Sequence, residues 1–503
     1  MSTLVVAPWG NIYSWKEATY KFKESDKDFM GLTSLGLLAE MYPDAHFVIF
    51  VLDTLYAAKG RDSFVRRKSV PRSYSELVEK VKRDVECWIH CSVESLEEIV
   101  KEKRLDIVVV PGVGNYKPNE KSPVWDFELP ALEPAGNYSS WVAGVLLKKM
   151  LDLNPEKVLV DLSHGLNYTP LALMEALELT LKAYVTAKGR DVGLTVYQSE
   201  PYEPDEVLNV FKVKSLKFKG ESKDLEQPSG DSSGPKGFLK DLLAADLKQL
   251  PFWDEPYFEA GDKDEVKDKL NRLFQEFAGT FKGAPELGVI SANIVLYTFP
   301  LAAIYLAVEK KDSDFTLPKL SEVLEELRST AISEGKVEEE SSSRIKVSPG
   351  ISLNWNAIYL LIASVALFEV IRKIPKSIFE SNDPRLSSLL ELHKKGVSLD
   401  ELKEAISFLG RLYRAISDYE IEIFEKHCEA ECNNNKPHCR RLGKFGKNWS
   451  SKKSNSVEFR HFKAHAGLEE STIEGRCRGD KLFLRYKQEY WEKIKEELAK
   501  VDF

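Results

Sequence analysis

Short apolar runs alternate with amphipathic stretches over the first 215 residues of the chain. Five runs are rich in β-branched residues and bounded by glycine, proline or polar clusters: TLVVAP (3–8), HFVIFVL (46–52), LDIVVVPG (105–112), KVLVDLS (157–163) and VGLTVYQ (192–198). The stretches between them, such as SYSELVEKVKRDVECW and PLALMEALELTLKAYVTAKG, have helical periodicity. This alternation predicts βαβ units, and therefore an α/β, Rossmann-like domain with a mainly parallel sheet.

The pattern changes after this region. The segment KGESKDLEQPSGDSSGPKG (219–237) is rich in glycine, serine, proline and aspartate, which is typical of a linker. From residue 238 onward helical periodicity dominates, so we expect an all-α C-terminal region. The predicted organisation is a ligand-sensing domain (1–218), a linker (219–237), a helical connecting region (238–345) and a C-terminal domain (346–503).

Two stretches of 22 residues, Leu287 to Val308 and Val347 to Phe368, carry no charge and are long enough to cross a bilayer. The first contains Asn293 and Pro300, and the second opens with VSPGISLNWN, which leaves a helical part of about 14 residues. Buried helices of an all-α domain or of a dimer interface explain both stretches better than membrane spans do.

Composition narrows the class of protein. The 503 residues are enough for two or three domains with their own cores. A net charge of −8 argues against a protein that coats nucleic acid non-specifically, although it allows a local basic groove. Six cysteines in so long a chain do not form a disulfide-framed secreted domain, and the first ten residues do not resemble a signal peptide, so we expect a cytoplasmic protein.

Three loops at the ends of predicted strands combine glycine with polar side chains: APWGN (7–11), PGVGNY (111–116) and DLSHGLNYTP (161–170). In an open parallel sheet the carboxyl ends of the strands form one rim, where ligands bind. Glycine lets backbone N–H groups approach an anion, and the helix expected to begin near Thr169 directs its N-terminus to the same rim. Glycine and asparagine also terminate strands without any ligand. The fingerprint of dinucleotide-binding domains, G-x-G-x-x-G, does not follow the first strand, which argues against a dehydrogenase.

APWGN and DLSHGLNY resemble motifs of the CRISPR-associated Rossmann-fold (CARF) domain found in the type III accessory ribonucleases. Ala7 departs from the pattern, because relatives often carry serine there. The resemblance implies that a dimer binds cyclic oligoadenylate, such as cyclic tetra-adenylate, as an activator. The ligand contacts it implies are Trp9, Gly10, Asn11, Gly112, Asn115, His164, Gly165 and Asn167, together with Thr33 and Ser34 at the start of the first helix.

Near the C-terminus, KSNSVEFRHFKAHAGLEE reads as a helix with both ends marked. Asn455 and Glu458 resemble a capping box, and Gly467 provides a stop. Arg460 and His465 are five positions apart and therefore about 140° apart on an ideal helix, so a helix end or a second copy of the chain is needed to bring them to one phosphate.

In an all-α region that follows a CARF-like domain, this pattern resembles the ribonuclease motif of HEPN domains: an arginine, a polar residue, and a histidine after four to six intervening positions. The resemblance implies Arg460, His461 and His465 as catalytic residues of a metal-independent endoribonuclease that cuts single-stranded RNA and needs no cofactor. Histidine can transfer the proton of a ribose 2′-hydroxyl, and a guanidinium can stabilise the charge on the phosphate. The upstream segment CRRLGKFGKNWSSKK interleaves basic and aromatic residues, which suits single-stranded RNA and is equally compatible with a solvated loop.

A zinc site is a rival interpretation of the same region. His461 and His465 have the i, i+4 spacing of metal ligands, and HCEAECNNNKPHC (427–439) adds cysteines and histidines nearby. Cys428, Cys432, Cys439 and Cys477 are also compatible with disulfides, which intracellular proteins of hyperthermophiles form, or with free thiols. The sequence leaves these three alternatives open.

The leading hypothesis is therefore a ribonuclease of antiviral defence that acts as a homodimer or higher oligomer, with RNA and cyclic oligoadenylate as partners and without membrane association. The alternative is a regulator that responds to the same nucleotide and binds nucleic acid without catalysis. Residues 238–345 have room for a helix-turn-helix, yet no basic recognition helix stands out there.

Overall fold

The computed structural model describes residues 2–22, 28–61, 70–129, 133–203, 207–219, 258–260, 281, 283–297, 299–379, 382–410, 417–434, 438–439, 442–444, 448–449, 462, 467–469 and 471–500. Almost all of the predicted linker (219–237) lies outside these residues, and the predicted domain boundaries remain predictions.

The N-terminal region is built on an eight-stranded sheet with the order β3-β2-β10-β9-β8-β1-β4-β5. Strands β9, β8, β1, β4 and β5 are parallel, as predicted, whereas β10 runs antiparallel to β9. The strands are β1 (Thr3–Trp9), β2 (Ala18–Phe22), β3 (Asp28–Gly31), β4 (His46–Leu52), β5 (Leu105–Val110), β8 (Lys157–Asp161), β9 (Val192–Ser199) and β10 (Val207–Phe218). Between β5 and β8 a short antiparallel hairpin is formed by β6 (Gly114–Tyr116) and β7 (Val124–Phe127).

Both faces of the central strands are buried, which explains why their sequences are continuous apolar runs rather than alternating ones. In β1 the side chains of Leu4 and Val6 point into one hydrophobic core, and those of Val5 and Ala7 point into a second core on the other face. The helices of this region are α1 (Leu35–Met41), α2 (Tyr74–Ser92), α3 (Glu94–Lys101), α4 (Pro134–Leu153) and α5 (Thr169–Lys188). Helices α4 and α5 end at residues in the left-handed conformation, Asn154 and Gly189, which stop each helix before the next strand.

The C-terminal region is mainly helical, in agreement with the sequence. Its helices are α6 (Ala284–Leu296), α7 (Pro300–Glu309), α8 (Leu317–Ser333), α9 (Trp355–Ile378), α10 (Leu389–Lys395), α11 (Leu399–Gly410), α12 (Ser417–His427) and α13 (Trp491–Leu498). The core under α4 and α5 continues without a break into these helices, and α9 packs against α5 and α6.

The expectation of a purely α-helical region was wrong, because several short strands lie within it. They are β11 (Phe258–Ala260), β12 (Lys336–Ser341), β13 (Arg344–Ser348), β14 (Ile351–Leu353), β15 (Val397–Ser398), β16 (His438–Cys439), β17 (Gly443–Lys444), β18 (Ile473–Arg478) and β19 (Lys481–Tyr486). Strand β13 pairs in parallel with β7, giving a four-stranded sheet that joins the two halves of the chain. The predicted boundary between residues 345 and 346 falls inside this strand.

The two charge-free stretches form buried helices of the core. The first is divided into α6 and α7, because Pro300 begins a new helix. The second contains the first 14 residues of α9, as expected; this helix begins at Trp355, where the Asn354 side chain accepts the N–H of Ala357, and continues past the stretch to Ile378. Among the described residues no helix is both long and apolar enough to span a membrane.

The C-terminal cysteines form two disulfides, Cys428–Cys439 and Cys432–Cys477. Of the three alternatives that the sequence left open, the structure therefore has the disulfides, and these four sulfurs are not thiolate ligands for zinc. The bridges join the end of α12 and the 3-10 helix after it to β16 and to the edge strand β18.

Candidate functional site: the carboxyl-end rim of the sheet

The carboxyl ends of β1, β4, β5 and β8 meet at one rim, as the parallel order requires. We call this edge, with the loops that follow these four strands, the sheet rim. The loop after β8 contains the His-Gly pair, and the backbone N–H of Gly10 in the loop after β1 donates to the carbonyl of His164 over 2.9 Å. Two of the three predicted loops are thereby held directly against each other.

Asp161 at the end of β8 organises the rim through its carboxylate. One oxygen accepts the Ser34 hydroxyl over 2.7 Å, and the other accepts both the backbone N–H and the hydroxyl of Ser163. The Ser163 hydroxyl in turn accepts the backbone N–H of Ser199, the last residue of β9. The start of α1 and the ends of β8 and β9 are thus tied together, and the predicted residue Ser34 is buried within this network.

His164 is half-buried where three elements meet. Its Nε2 accepts the backbone N–H of Ser34 over 3.3 Å and lies 3.4 Å from the Tyr20 hydroxyl, and its ring centre lies 4.2 Å from that of Trp15. Burial lowers the pKa of His164, while the negative charge of Asp161 opposes that shift. A neutral imidazole whose Nε2 accepts a backbone N–H carries its proton on Nδ1, so this side chain offers the rim a hydrogen-bond donor rather than a positive charge.

The glycines of the rim are in close contact with neighbouring side chains. A Cβ at Gly165 would lie 2.5 Å from Cγ of Pro170 and 3.1 Å from Cγ of Pro8, and a Cβ at Gly10 would lie 2.3 Å from Cγ of Leu166. No side chain fits at either position without moving the loop. The two predicted glycines therefore fix how closely the loops after β1 and β8 approach each other.

Trp9 belongs to the scaffold beneath the rim. Its side chain is 2% exposed, and its ring makes edge-to-face contacts with Trp15 at 5.2 Å and with Trp88 at 5.7 Å. The ligand contact that the sequence analysis predicts at Trp9 stays a prediction; in the structure its ring packs against Trp15, whose ring centre lies 4.2 Å from that of His164.

The remaining predicted contacts differ in exposure. The side chain of Asn11 donates to the carbonyl of Lys59 and accepts the N–H of Tyr13, so it closes its own loop. Thr33 is fully buried, and its hydroxyl accepts the N–H of Leu35 at the start of α1. Asn115 on β6 and Asn167 in the His-Gly loop are exposed. Asn167 has a φ of 53°, a left-handed conformation that asparagine tolerates better than most residues.

Asp53, the residue that follows β4, is a rim residue that the sequence interpretation missed. Its carboxylate is 1% exposed and accepts the backbone N–H of Gly112 and the hydroxyl of Tyr74, each over 2.8 Å. Burial raises the pKa of Asp53 to about 7, although the hydrogen bonds from Tyr74, Gly112 and the backbone of Thr54 act in the opposite direction. A carboxyl group that changes charge near neutral pH thus holds the loop after β5.

The same network reaches the C-terminal half of the chain. The backbone N–H of Tyr74 points to the carbonyl of Gly335 at 3.4 Å, and a Cβ on Gly335 would lie 2.6 Å from the Tyr74 ring. Gly335 lies between α8 and β12. Asp53 and Tyr74 therefore connect the Gly112 loop of the rim to the hairpin β12–β13 through direct contacts.

Two tyrosines leave hydroxyl groups unused beside the rim. The hydroxyls of Tyr168 and Tyr138 are buried and have no hydrogen-bond partner among the described residues. Burial, followed by the nearby negative charge of Asp53, raises the pKa of Tyr168 to about 12, so the hydroxyl stays protonated. Tyr168 immediately precedes α5, and its hydroxyl is a donor available close to the rim.

The three predicted catalytic residues Arg460, His461 and His465 lie outside the described residues. Phe462, within the same segment, is fully buried, and its ring packs 5.2 Å from Phe299 and 6.2 Å from Tyr486. Gly467 has a φ of 75° and donates its N–H to the carbonyl of Phe462, the bond that closes a helix C-terminus. The predicted helix that would end at Gly467 lies largely outside the described residues, and the described Phe462 packs against Phe299, just before α7, and against Tyr486 of β19.

Comparison with known proteins identifies the class of domain to which the rim belongs. Residues 4–201 match the family described as "CRISPR system endoribonuclease Csx1, CARF domain". Residues 4–201 are therefore similar to a CARF domain of that family, in agreement with the resemblance read from APWGN and DLSHGLNY.

Similarity to a single protein extends further along the chain. The chain is 26% identical over 493 residues to the CRISPR system endoribonuclease Csx1 of Methanocaldococcus jannaschii, which covers 94% of this chain and 86% of that protein. Csm6 of Enterococcus italicus, solved bound to cyclic hexa-2′-fluoro-hexa-dAMP, matches over 84% of this chain and 97% of its own, with 10% identity and a TM-score of 0.21. The similarity to the Methanocaldococcus jannaschii protein thus extends through both halves of this chain.

Proposed function

We propose that the protein is an endoribonuclease of type III CRISPR defence that is switched on by cyclic oligoadenylate. The observation that carries this proposal is the similarity to a CRISPR system endoribonuclease over 94% of the chain, because it includes the C-terminal half and not the CARF domain alone.

The proposed catalytic residues are Arg460 and His465 of a HEPN-type motif, with His461 orienting the site. His465 takes the proton of a ribose 2′-hydroxyl, whose oxygen then attacks the adjacent phosphorus. Arg460 stabilises the pentacoordinate phosphorane, and the bond to the leaving 5′-oxygen breaks as that oxygen gains a proton. This chemistry requires no metal ion, and it requires single-stranded RNA because the 2′-hydroxyl must rotate into line with the bond that breaks.

The activator, in this proposal, binds at the sheet rim of a dimer, with cyclic tetra-adenylate as the first ligand to test. The side chains of His164, Asn115 and Asn167 contact the nucleotides, and the loops that contain Gly10, Gly112 and Gly165 lie against the ligand. Ligand binding changes the activity at the C-terminal site only if it favours one arrangement of the protein over another. The contacts from Asp53 through Tyr74 to Gly335 offer a physical connection between the rim and the C-terminal half.

The test is cleavage of a labelled single-stranded RNA in EDTA, with and without cyclic tetra-adenylate, by the wild-type chain and by His465→Ala. His427→Ala is the matched control, since His427 is an exposed histidine on α12 in the same half of the chain. We expect cleavage only with the activator, its loss in His465→Ala, and no change in His427→Ala.

Other results would change the proposal in defined ways. Cleavage that persists in His465→Ala would place the active site elsewhere. Cleavage that EDTA abolishes would mean that a metal takes part. Tight binding of the activator without cleavage under any condition would favour the non-catalytic regulator.

A further inference from the structure

The hairpin β18–β19 carries a concentration of positive charge on one face. Its inward side chains, among them Ile473 and Leu484, are buried, whereas Arg476, Arg478, Lys481, Phe483 and Arg485 alternate with them on the outer face together with Glu474. The hairpin is held rigidly, because Cys477 is bridged to Cys432 and because Leu442 packs directly over Gly475, where a Cβ would lie 2.3 Å from its Cδ1.

Two of these four cations are neutralised and two are not. Arg485 pairs with Glu474 at 2.6 Å, and Lys481 pairs with Asp400 at 2.7 Å. Within the part of the chain that the structure describes, no carboxylate forms an ion pair with Arg476 or Arg478. Burial, followed by the positive charges of Arg478 and Arg485, lowers the pKa of Arg476. An anion bound on this face would relieve the crowding of charge.

An aromatic ring lies on the same face. The guanidinium carbons of Arg476 and Arg485 lie 4.3 and 4.2 Å from the centre of the Trp449 ring. The far edge of the ring lies against Gly396, where a Cβ would come within 2.3 Å of Cη2. Trp449 is half-buried and contacts the two arginines on one side and Gly396 on another, so its ring is held in a fixed position. The guanidinium of Arg478 lies 5.2 Å from the ring of Phe483 at the tip of the hairpin.

The base of the hairpin adjoins the segment that carries the proposed catalytic residues. Phe462 packs against Tyr486, and Tyr486 is paired across the hairpin with Ile473. From Ile473 to Arg478 the strand advances five residues, or roughly 16 Å at about 3.3 Å per residue. The charged tip of the hairpin therefore lies roughly 16 Å from its base, which adjoins Phe462. An RNA strand bound near Phe462 can reach the tip with another of its nucleotides.

We propose that Trp449, Arg476, Arg478 and Phe483, which we call the hairpin platform, bind the single-stranded RNA substrate outside the cleavage site. A base stacks on Trp449 while Arg478 contacts a phosphate, the pairing of aromatic and cationic groups that single-stranded nucleic acids favour. This inference rests on the proposed function for the identity of the RNA as substrate. Arg476 has a structural task as well, since it donates to the carbonyls of Lys394 and Lys395 at the end of α10, so the tests use Arg478 and Trp449.

The experiment measures RNA binding in the full-length His465→Ala chain, which is expected not to cut, by anisotropy of a labelled single-stranded RNA over a range of salt. Arg478→Glu is compared with Arg83→Glu, a matched reversal of an exposed arginine on α2. We expect Arg478→Glu to weaken binding and to reduce the slope of log affinity against log salt by at least about 0.7, the value for one phosphate contact on a single strand. Arg83→Glu is expected to change neither quantity.

The Trp449 variants test the stacking. Trp449→Ala is expected to weaken binding between about fivefold and about a hundredfold, the range for loss of one base–aromatic stack, and Trp449→Phe is expected to restore most of it. Melting temperatures of all variants identify any that fail to fold. If Trp449→Ala does not fold, RNA binding by Trp449→Phe is compared with that of the unchanged Trp449 chain instead. Binding and salt slope unchanged in both Arg478→Glu and Trp449→Ala would overturn the platform.

Cleavage by the otherwise wild-type chain separates this inference from the proposed function. If Arg478→Glu cleaves RNA with an unchanged KM, the proposed ribonuclease activity stands and the proposal that the hairpin platform binds RNA is wrong. RNA binding that depends on Arg478, in a chain that never cuts RNA, would support the platform and contradict the proposed catalysis. A fall in kcat alone, with RNA affinity unchanged, would mean that the hairpin acts in some way other than binding RNA.

Discussion

Replacing Asp53 with asparagine should change how the stability of the protein depends on pH. The pKa of Asp53 is about 7 in the folded protein, against an ordinary value of 3.8, because the carboxyl group is buried. The folded state therefore holds the proton more tightly than the unfolded chain does. It follows that this group contributes stability at low pH, and that the contribution is lost as the pH rises through about 7.

The size of the effect follows from the two pKa values. They differ by about three, and each pKa unit corresponds to 1.36 kcal/mol, so the full loss is about 4 kcal/mol. Between pH 5 and pH 8 the linkage relation gives roughly 3 kcal/mol, since part of the titration lies below pH 5. Asparagine does not titrate, so Asp53→Asn removes this component; Tyr74 and Tyr168, whose pKa values are raised by burial and by the charge of Asp53, stay protonated in both proteins up to pH 8.

The assay is denaturant unfolding of the wild-type chain and of Asp53→Asn at pH 5 and at pH 8. We expect the free energy of unfolding of the wild type, relative to the variant, to fall by roughly 3 kcal/mol between the two values of pH. Glu203→Gln, an exposed carboxylate, serves as the control and should give no such difference. A difference between wild type and Asp53→Asn that is the same at both pH values would refute the assignment of a raised pKa to this buried group.

Two further changes test the disulfides and the rim. Replacing both Cys432 and Cys477 with serine opens a loop with a sequence separation of 45. In non-reducing denaturation this should lower the free energy of unfolding by about 4 kcal/mol. An unchanged denaturant midpoint would contradict this expectation. Gly165→Val places side-chain atoms where a Cβ is already 2.5 Å from Pro170, and should abolish binding of cyclic tetra-adenylate in calorimetry. Gly193→Ala, where the nearest atom is 3.9 Å away, is the control, and equal binding by both variants would count against the rim.

Much of the fold could be predicted because single segments carried enough information. The run His46–Leu52 is apolar after His46 and includes three β-branched residues, and the structure has a strand with those bounds. Helix α5 begins at Thr169, beside Pro170, and ends at Gly189, all of which are local signals. The helices between the strands predicted that the strands are parallel. Parallel strands place their carboxyl ends at one rim, and this predicted where His164 and Gly165 lie.

What was missed depends on contacts between distant segments. Asp53 looks like any polar residue after a strand, and only the fold brings it to Gly112, which lies 59 positions away. Trp9 could not be distinguished from an exposed aromatic residue, because its burial depends on Trp88. The pairing of four cysteines is likewise not determined by spacing, since three pairings are compatible with one sequence.

The hairpin β18–β19 did leave a signal in the sequence. Ile473, Gly475 and Cys477 alternate with polar residues; Leu482, Leu484 and Tyr486 have the same period of two with Lys481, Phe483 and Arg485, and Gly479 and Asp480 lie between the two runs. Alternation on both sides of a two-residue turn containing glycine is typical of a β-hairpin. The strong helical periodicity of the neighbouring segments concealed it, and with it the basic face of the hairpin.

The most direct test of the account is the rate of RNA cleavage as a function of cyclic tetra-adenylate concentration, for the wild-type chain and for His164→Ala. The account predicts no cutting without the ligand and saturation with it in the wild type. His164→Ala should need a higher ligand concentration for half-maximal activity and should reach a similar maximal rate, because the substitution weakens the rim and leaves His465 in place. Cutting at full rate without ligand, or identical ligand curves for the two proteins, would contradict the claim that the sheet rim controls the ribonuclease.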